Sequence, residues 1–462
     1  MYRLRSLYAL LDGFHELENQ EIYFAPYDEL NDPFEGILDM VWDGDSVVWE
    51  NLFRHYLLCL DYKFMMAMLM NPDEFYKEGI PVMLCEMGIN EHLQEMFQEI
   101  KDMFFSKESV GKLIRYLGER KLPVKTEELT FYLNCIHSYA FYCVLSIYLK
   151  KGLYQDNSVL SLFRDDEYLN SIIAVLENTP EDKEKLEIAY QYFNNITNQT
   201  ALHVKAGDPD PDNSRVKITY FLLDFQNDYI NHLKNLVYPT WYAACFMLGC
   251  RNTAHWAHYA EKHTGVALIF RAHEKNGTLT LPIERPTSYS AGKYHSNFVD
   301  MPFEKVEYSN TIFEVDFFRR MLNLTHPILE REWYTDSSGA KSICAEALKE
   351  LDHSLRDEYW KFFHQRQNTK TLDWATEEEH RITLTSVMFD FESVESRKLK
   401  YKFEDLEGII FGTRTPETAK IEIRRIIDEK CRQSKRSDFK FFQARFDLTK
   451  RELTFDELRL LH

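Results

Sequence analysis

The period of the apolar positions changes along the chain, and the changes divide it. Alternation in "MYRLRS" predicts an opening strand, "LYALLDGFHEL" a short helix, and "EIYFAP" a second strand before the turn "NDPFEG". From about Val41 to Asn235, apolar residues return every three or four positions, as in "VVWENLFRHYLLCLDYKFMMAML" and "YLNCIHSYAFYCVLSIYLKKGLY". That spacing predicts a long run of helices, broken at Asn71-Pro72, at Lys121-Leu122-Pro123 and at the loop "AGDPDPDNS" (206–214). Strand character resumes in "WYAACFML", in "HTGVALIF", where Val266, Leu268 and Phe270 alternate, and in "KVEYS". A helical stretch (about 312–366) precedes a strand around "EEEHRITLT". "LEGIIFGTRTPETAKIEIRRIIDEKC" then reads as strand, turn and helix, with Pro416 near the first helical turn. "DFKFFQARFD" and "RELTFDEL" read as a terminal hairpin. The pattern therefore predicts an α+β core made from residues 1–40 and 236–462, carrying an all-helical insertion at 41–235.

The string "LDWATEEEHRIT" (372–383) sets three carboxylates side by side at the mouth of a strand, although like charges repel. In an extended chain Glu377, Glu379, Arg381 and Thr383 share one face, and Glu378, His380, Ile382 and Leu384 the other. The second face ends in core residues. The first carries two acids and one base, as a solvated face or as the wall of a polar cleft.

Composition narrows the function. With 462 residues, 45% of them hydrophobic, the chain is expected to be a soluble globular protein of two or three domains. Its 15% aromatic share, with 33 Phe and 27 Tyr, points to ring-rich cores. Fifty-five basic against 74 acidic residues give a net charge of −19, which opposes binding to phosphate backbones except at a local patch such as "KCRQSKRSDFK" (430–440). Eight cysteines without a CxxC pair suggest neither a zinc site nor a disulfide framework. The start lacks the features of a signal peptide, and "AFYCVLSIYL" is about half the length of a membrane crossing. A reduced, cytoplasmic protein with no membrane partner is expected.

Four clusters are candidates for chemistry. Arg3 and Arg5 lie two apart on the opening strand and face the same way. Asn31-Asp32-Pro33 is a turn former, followed by Phe34 and Glu35. "CRNTAHWAHYAEKHTGVALIF" sets His255, Trp256, His258 and Tyr259 on a short helix, with His255, His258 and Tyr259 at spacings that share a face. A metal held by His255, His258 and His263 lacks a carboxylate or cysteine at a ligand spacing, so no metal is expected. The fourth cluster is Trp374, Glu377, Glu379 and Arg381. Dinucleotide, Walker and nucleophile-elbow signatures do not occur.

Taken in order, "MYRLRS", "IYFAPYDELNDPFEG", "AACF", "HWAHYAEKHTGVALIF", "VEYS", "WATEEEHR" and "LEGIIFG" resemble the motif series of the bacterial family called domain of unknown function 2971. The resemblance covers residues 1–40 and about 240–460 and leaves the helical insertion outside it. His255 departs from the family's usual Met, and Leu4 from its second aromatic. The layout is also similar to that of ADP-ribosyltransferases, an analogy of fold alone.

That analogy implies a small two-sheet core with NAD, as substrate, lying in a cleft between the sheets. Glu379, or Glu377, would stabilise the oxocarbenium-like ribose formed when nicotinamide leaves. Arg3 and Arg5 would hold the pyrophosphate or adjoining ribose, and Tyr259 or Trp256 would stack on the nicotinamide. Arg381 would pair with one glutamate or serve as a plain salt bridge. Asn31-Asp32-Pro33 would shape the cleft wall, with direct ligand contact by Asn31 as the other reading. The implied activity is ADP-ribosyl transfer to a protein or nucleic acid by a bacterial toxin or phage-defence effector, with the insertion selecting the target or holding an antitoxin or regulator. A non-catalytic nucleotide- or partner-binding module on the same fold is the alternative, and a metal-dependent hydrolase a third.

Overall fold

A computed structural model describes residues 1–157, 160, 167–178, 183–206, 214–312, 314–346 and 353–459. The fold is mixed α+β with several open sheets. It divides into two compact units, one of Met1–Ile37, Pro239–Thr311 and Tyr359–His462, the other of Leu38–Tyr238 and Ile312–Glu358. The loop expected at 206–214 lies, but for its two ends, outside the described residues.

The first unit is built on a nine-stranded sheet. Its order is Glu304–Lys305, Glu379–Thr385, Trp241–Met247, Tyr2–Arg5, Val266–Phe270, Leu406–Phe411, Lys440–Asp447 and Glu452–Glu457, with Ala25–Pro26 also paired to Trp241–Met247. Val266–Phe270 lies between two neighbours, and four of its five residues are buried. An unbroken apolar run suits that position better than alternation does. Gly265, just before it, is required by close approach: a Cβ there would sit 2.2 Å from the Arg5 carbonyl oxygen. Leu406–Phe411 and Lys440–Asp447 run parallel, and helix Glu417–Ser434 makes the crossover that a parallel pair needs.

A smaller antiparallel sheet, in the order Lys293–Pro302, Thr278–Ser290, Lys398–Tyr401 and Glu21–Tyr23, supplies the other side of the core. Phe246, Leu268, Phe270 and Ile409 from the large sheet meet Leu281, Ile283 and Tyr401 from the small one, and Ile423 and Ile427 of the crossover helix join them. The chain's first strand thus belongs to one sheet and Glu21–Tyr23 to the other, joined by the short turns Tyr8–Asp12 and Glu16–Asn19.

The second unit is mainly helical. Helix Ser46–Leu69 is started by Asp45, whose carboxylate accepts from the N–H groups of Val47 and Val48. Phe64 on that helix lies 5.6 Å from Phe141 of helix Thr126–Lys150 and 5.5 Å from Phe221 of helix Ser214–Leu223, in edge-to-face contacts. Residues 312–358, expected with the α+β core, group instead with this unit. The reason is a short strand where the pattern suggests helix: Glu314–Asp316 pairs in parallel with Asp39–Trp42 and buries Val315.

Candidate functional site

The large sheet splits between Trp241–Met247 and Tyr2–Arg5. Tyr2–Arg5 is paired with Val266–Phe270 along its whole length but meets Trp241–Met247 only at Tyr2 and Met247. Farther along the same strand, Ala25 and Pro26 pair with Ala243 and Tyr242. Between these two attachments lies a hollow of about 310 Å³, lined on one side by Arg3 and Arg5 and on the other by Ala243, Cys245 and Met247. Glu35, Tyr259, Lys370, Glu379 and Arg381 also line it, as does Asn31.

Beside this hollow three buried carboxylates, Glu35, Glu377 and Glu379, pair with two buried cations, Lys370 and Arg381. Lys370 Nζ donates to Glu377 Oε2 at 2.7 Å and to Glu379 Oε2 at 3.1 Å. Arg381 Nε donates to Glu379 Oε1 at 2.6 Å, while its NH2 lies 2.5 Å from Glu35 Oε2. Lys370 stands 3.6 Å from Glu35 Oε1. The Tyr259 hydroxyl donates to Glu377 Oε1 at 2.7 Å. Local folding explains how each arrives. Residues Leu372–Glu377 form a 3-10 turn rather than strand, Glu378 takes a left-handed φ of 46°, and the strand begins only at Glu379. The extended backbone expected from Glu377 onward begins only at Glu379, yet Glu377, Glu379 and Arg381 are buried on a common side as expected, and Glu378 at the corner is exposed. Glu35 is delivered by the Asn31-Asp32-Pro33 turn, in which Asp32 accepts from the Phe34 N–H at 3.0 Å and from the Thr371 N–H and hydroxyl, both at 2.8 Å.

Electrostatics separate the acids. Burial works against ionisation of Glu379, yet Arg381 and Lys370 hold its carboxyl down at about 2. Burial pushes Glu35 up to about 7, against the pull of Arg381 and with Glu379 adding to the rise. Burial would depress the Lys370 ammonium, but Glu379, Tyr259, Glu35 and Glu377 hold it above its ordinary value.

The two arginines differ. Arg5 is clamped by Glu16, with Nε donating to Oε2 at 2.7 Å and NH2 to Oε1 at 2.5 Å. Arg3 donates from NH2 to the Tyr23 carbonyl at 2.8 Å, and its buried Nε and NH1 have no acceptor among the described residues. Burial, and then Arg5 beside it, lower the Arg3 guanidinium to about 10.

Of the residues singled out in the sequence, Arg3, Arg5, Asn31, Tyr259, Glu379 and Arg381 line the hollow, and Glu377 is tied to it through Lys370 and Tyr259. Trp256 does not reach it. Its ring is fully buried against Leu4, Met247 and Ala267, and its indole N–H donates to the Cys250 carbonyl at 2.7 Å. On the seven-residue helix Thr253–Tyr259 the packing of Trp256 onto the sheet is what turns Tyr259 toward the acids. His258 lines the hollow, whereas the His263 ring stacks parallel to Trp256. Among the described residues no group of three or more His, Cys, Asp or Glu side chains is arranged to hold a metal ion.

Sequence reading missed Lys370 and the part played by Glu35. Glu35 had a signal, since it stands two residues after a strong turn former. Lys370 had none, being a lone lysine in "NTKTLDW" without periodic context.

Residues 255–382 match the family model described as Protein of unknown function (DUF2971), a stretch that includes Tyr259, Lys370, Glu377, Glu379 and Arg381. No curated protein and no solved structure matches the chain. The chain is thus similar, across the segment that carries most of the acid-base cluster, to a family whose description assigns no function.

Proposed function

We propose that the first unit binds NAD in the split of its large sheet and cleaves the bond between nicotinamide and ribose, passing ADP-ribose to a macromolecular acceptor or to water. The observation that carries this reading is the convergence of the guanidinium pair and the buried carboxylates on one hollow, although Arg3 and Glu379 are hundreds of positions apart in the chain. Arg3, with two N–H groups free to donate, suits a pyrophosphate or ribose oxygen. Glu379, held ionised and immobile by Arg381 and Lys370, suits a developing oxocarbenium. The volume is near the lower end of the roughly 300–1,000 Å³ typical of small-molecule sites, which fits the nicotinamide riboside half while the adenosine half extends over the rim. The helical unit, with its own core, is assigned to recognition of the acceptor or of a regulator.

The second reading is a nucleotide-binding module without catalysis. It is favoured by one observation: Lys370, Arg381 and Tyr259 already occupy the oxygens of Glu377 and Glu379. NAD labelled in its nicotinamide ring, incubated with the protein alone and with cell lysate, separates the two. Release of nicotinamide that falls at least about 100-fold in Glu379→Gln supports catalysis. Calorimetric binding of ADP-ribose with no release under any condition supports the module. Neither binding nor release removes both.

A further inference from the structure

The acid-base cluster contains one more carboxylate than cations. Glu35, Glu377 and Glu379 face Lys370 and Arg381, and all five side chains are almost completely buried. Burial of an unbalanced charge is costly, which favours uptake of a proton by one of the three carboxylates. Geometry identifies where. Glu379 accepts hydrogen bonds on both oxygens and so does Glu377. Neither oxygen of Glu35 accepts a hydrogen bond of good geometry among the described residues, despite the nearness of Arg381. Its charged form is the least stabilised of the three. The groups that face it are Arg381 and Glu379 on one strand, Lys370 on another and the Cys245 thiol on a third, and only the first and third of these four favour its ionisation.

We propose that Glu35 is the proton acceptor of the cleft, the carboxylate that receives the acceptor's proton as the ribosyl group is transferred. This rests on the transfer reading above. In the step, the bond from ribosyl C1′ to nicotinamide breaks with its electron pair leaving on the ring nitrogen, which becomes neutral. An oxygen lone pair of the acceptor hydroxyl forms the new bond to C1′, and the hydroxyl proton passes to ionised Glu35. Glu379 stays charged throughout. Two carboxylates on one wall with environments that pull their proton affinities apart divide the work between a fixed charge and a base. The raised affinity of Glu35, about 7, places it where a base is both available and effective.

Thermal unfolding of wild type and Glu35→Gln from about pH 5 to about pH 8.5 reads the proton without any nucleotide. Glutamine mimics the protonated acid, so the two midpoints are expected to agree at the acid end and to part as pH rises, with the variant ending a few degrees higher. A variant less stable by the same margin at every pH overturns the proposal. In nicotinamide release, wild-type kcat/KM is expected to climb with pH to a plateau above about 7. In Glu35→Gln the climb vanishes and kcat drops ~10²–10⁴-fold, with ADP-ribose affinity unchanged. Glu35→Asp is expected to retain a climb at a shifted pH. A climb that persists in Glu35→Gln also overturns the proposal. Absence of nicotinamide release from wild type, with and without lysate, overturns the transfer reading and the role as base with it; the unfolding comparison then still decides whether Glu35 holds the cluster's proton.

Discussion

Asp32 grips Thr371 across 339 positions of sequence, one carboxylate oxygen accepting from both the backbone N–H and the hydroxyl at 2.8 Å. The grip joins the turn that carries Glu35 to the segment that carries Lys370. It gives the Asn-Asp-Pro turn a physical reason beyond chain reversal: the aspartate sets the spacing between a carboxylate and the ammonium that faces it.

Asp32→Ala is therefore expected to cost about 1.5–3 kcal/mol, the usual value of hydrogen bonds to a charged group. Urea unfolding followed by tryptophan fluorescence measures it. Hydrogen exchange should show the loss around Phe34 and Thr371, whose N–H groups Asp32 holds. Unchanged protection at both amides would refute the assigned role.

Lys370 holds the cluster together. Its replacement by methionine leaves three buried carboxylates against a single guanidinium, and breaking a buried pair in this way costs about 3–5 kcal/mol. Lys370→Met is expected to fall in that range, and Lys370→Met combined with Glu377→Gln to recover part of it, because the second change removes a charge that lost its partner. A double-mutant cycle in denaturant gives the coupling directly. Strict additivity would mean that the 2.7 Å contact between Lys370 and Glu377 contributes nothing to stability.

How much of this was legible depended on whether the signal was local. The opening strand, the strand Val266–Phe270, and the strand and helix of residues 406–434 were readable because period and turn residues lie within each segment. The pairing of Arg3 and Arg5 on one strand was readable for the same reason. Trp256 was misplaced because a tryptophan on a short helix gives no sign of which face meets the sheet, and core packing took it. The strand at Glu314–Asp316 was hidden because its partner Asp39–Trp42 is far away in sequence. Lys370 illustrates the same limit at the site, since its meaning comes wholly from three carboxylates that reach it through tertiary structure.

Glu379 contributes to the acid side of the stability profile. Its folded carboxyl is held at about 2, below its unfolded value of about 4.5, so the folded state binds fewer protons between those limits. The stabilisation is full above about pH 4.5 and is lost as pH falls toward about 2. Acid titration by near-ultraviolet circular dichroism is expected to show a shallower loss for Glu379→Gln than for wild type. Parallel curves would mean that Glu379 does not carry this linkage.

Arg3 and Trp256 offer the sharpest contrast between a ligand-facing and a structural side chain. Arg3→Lys keeps a cation but removes the planar fork whose Nε and NH1 have no acceptor among the described residues. Binding of ADP-ribose by titration calorimetry is expected to weaken at least about 10-fold, an effect of about 1.4 kcal/mol. Trp256→Phe deletes the indole N–H that donates to Cys250 and leaves a void beneath the helix, so it should lower the unfolding midpoint. Its affinity for ADP-ribose should match wild type at temperatures where it remains folded, because its ring is sealed from the hollow. The reverse result, with Arg3→Lys binding normally and Trp256→Phe failing to bind while folded, would place the ligand on the other side of the helix Thr253–Tyr259 and undo the assignment of the cleft.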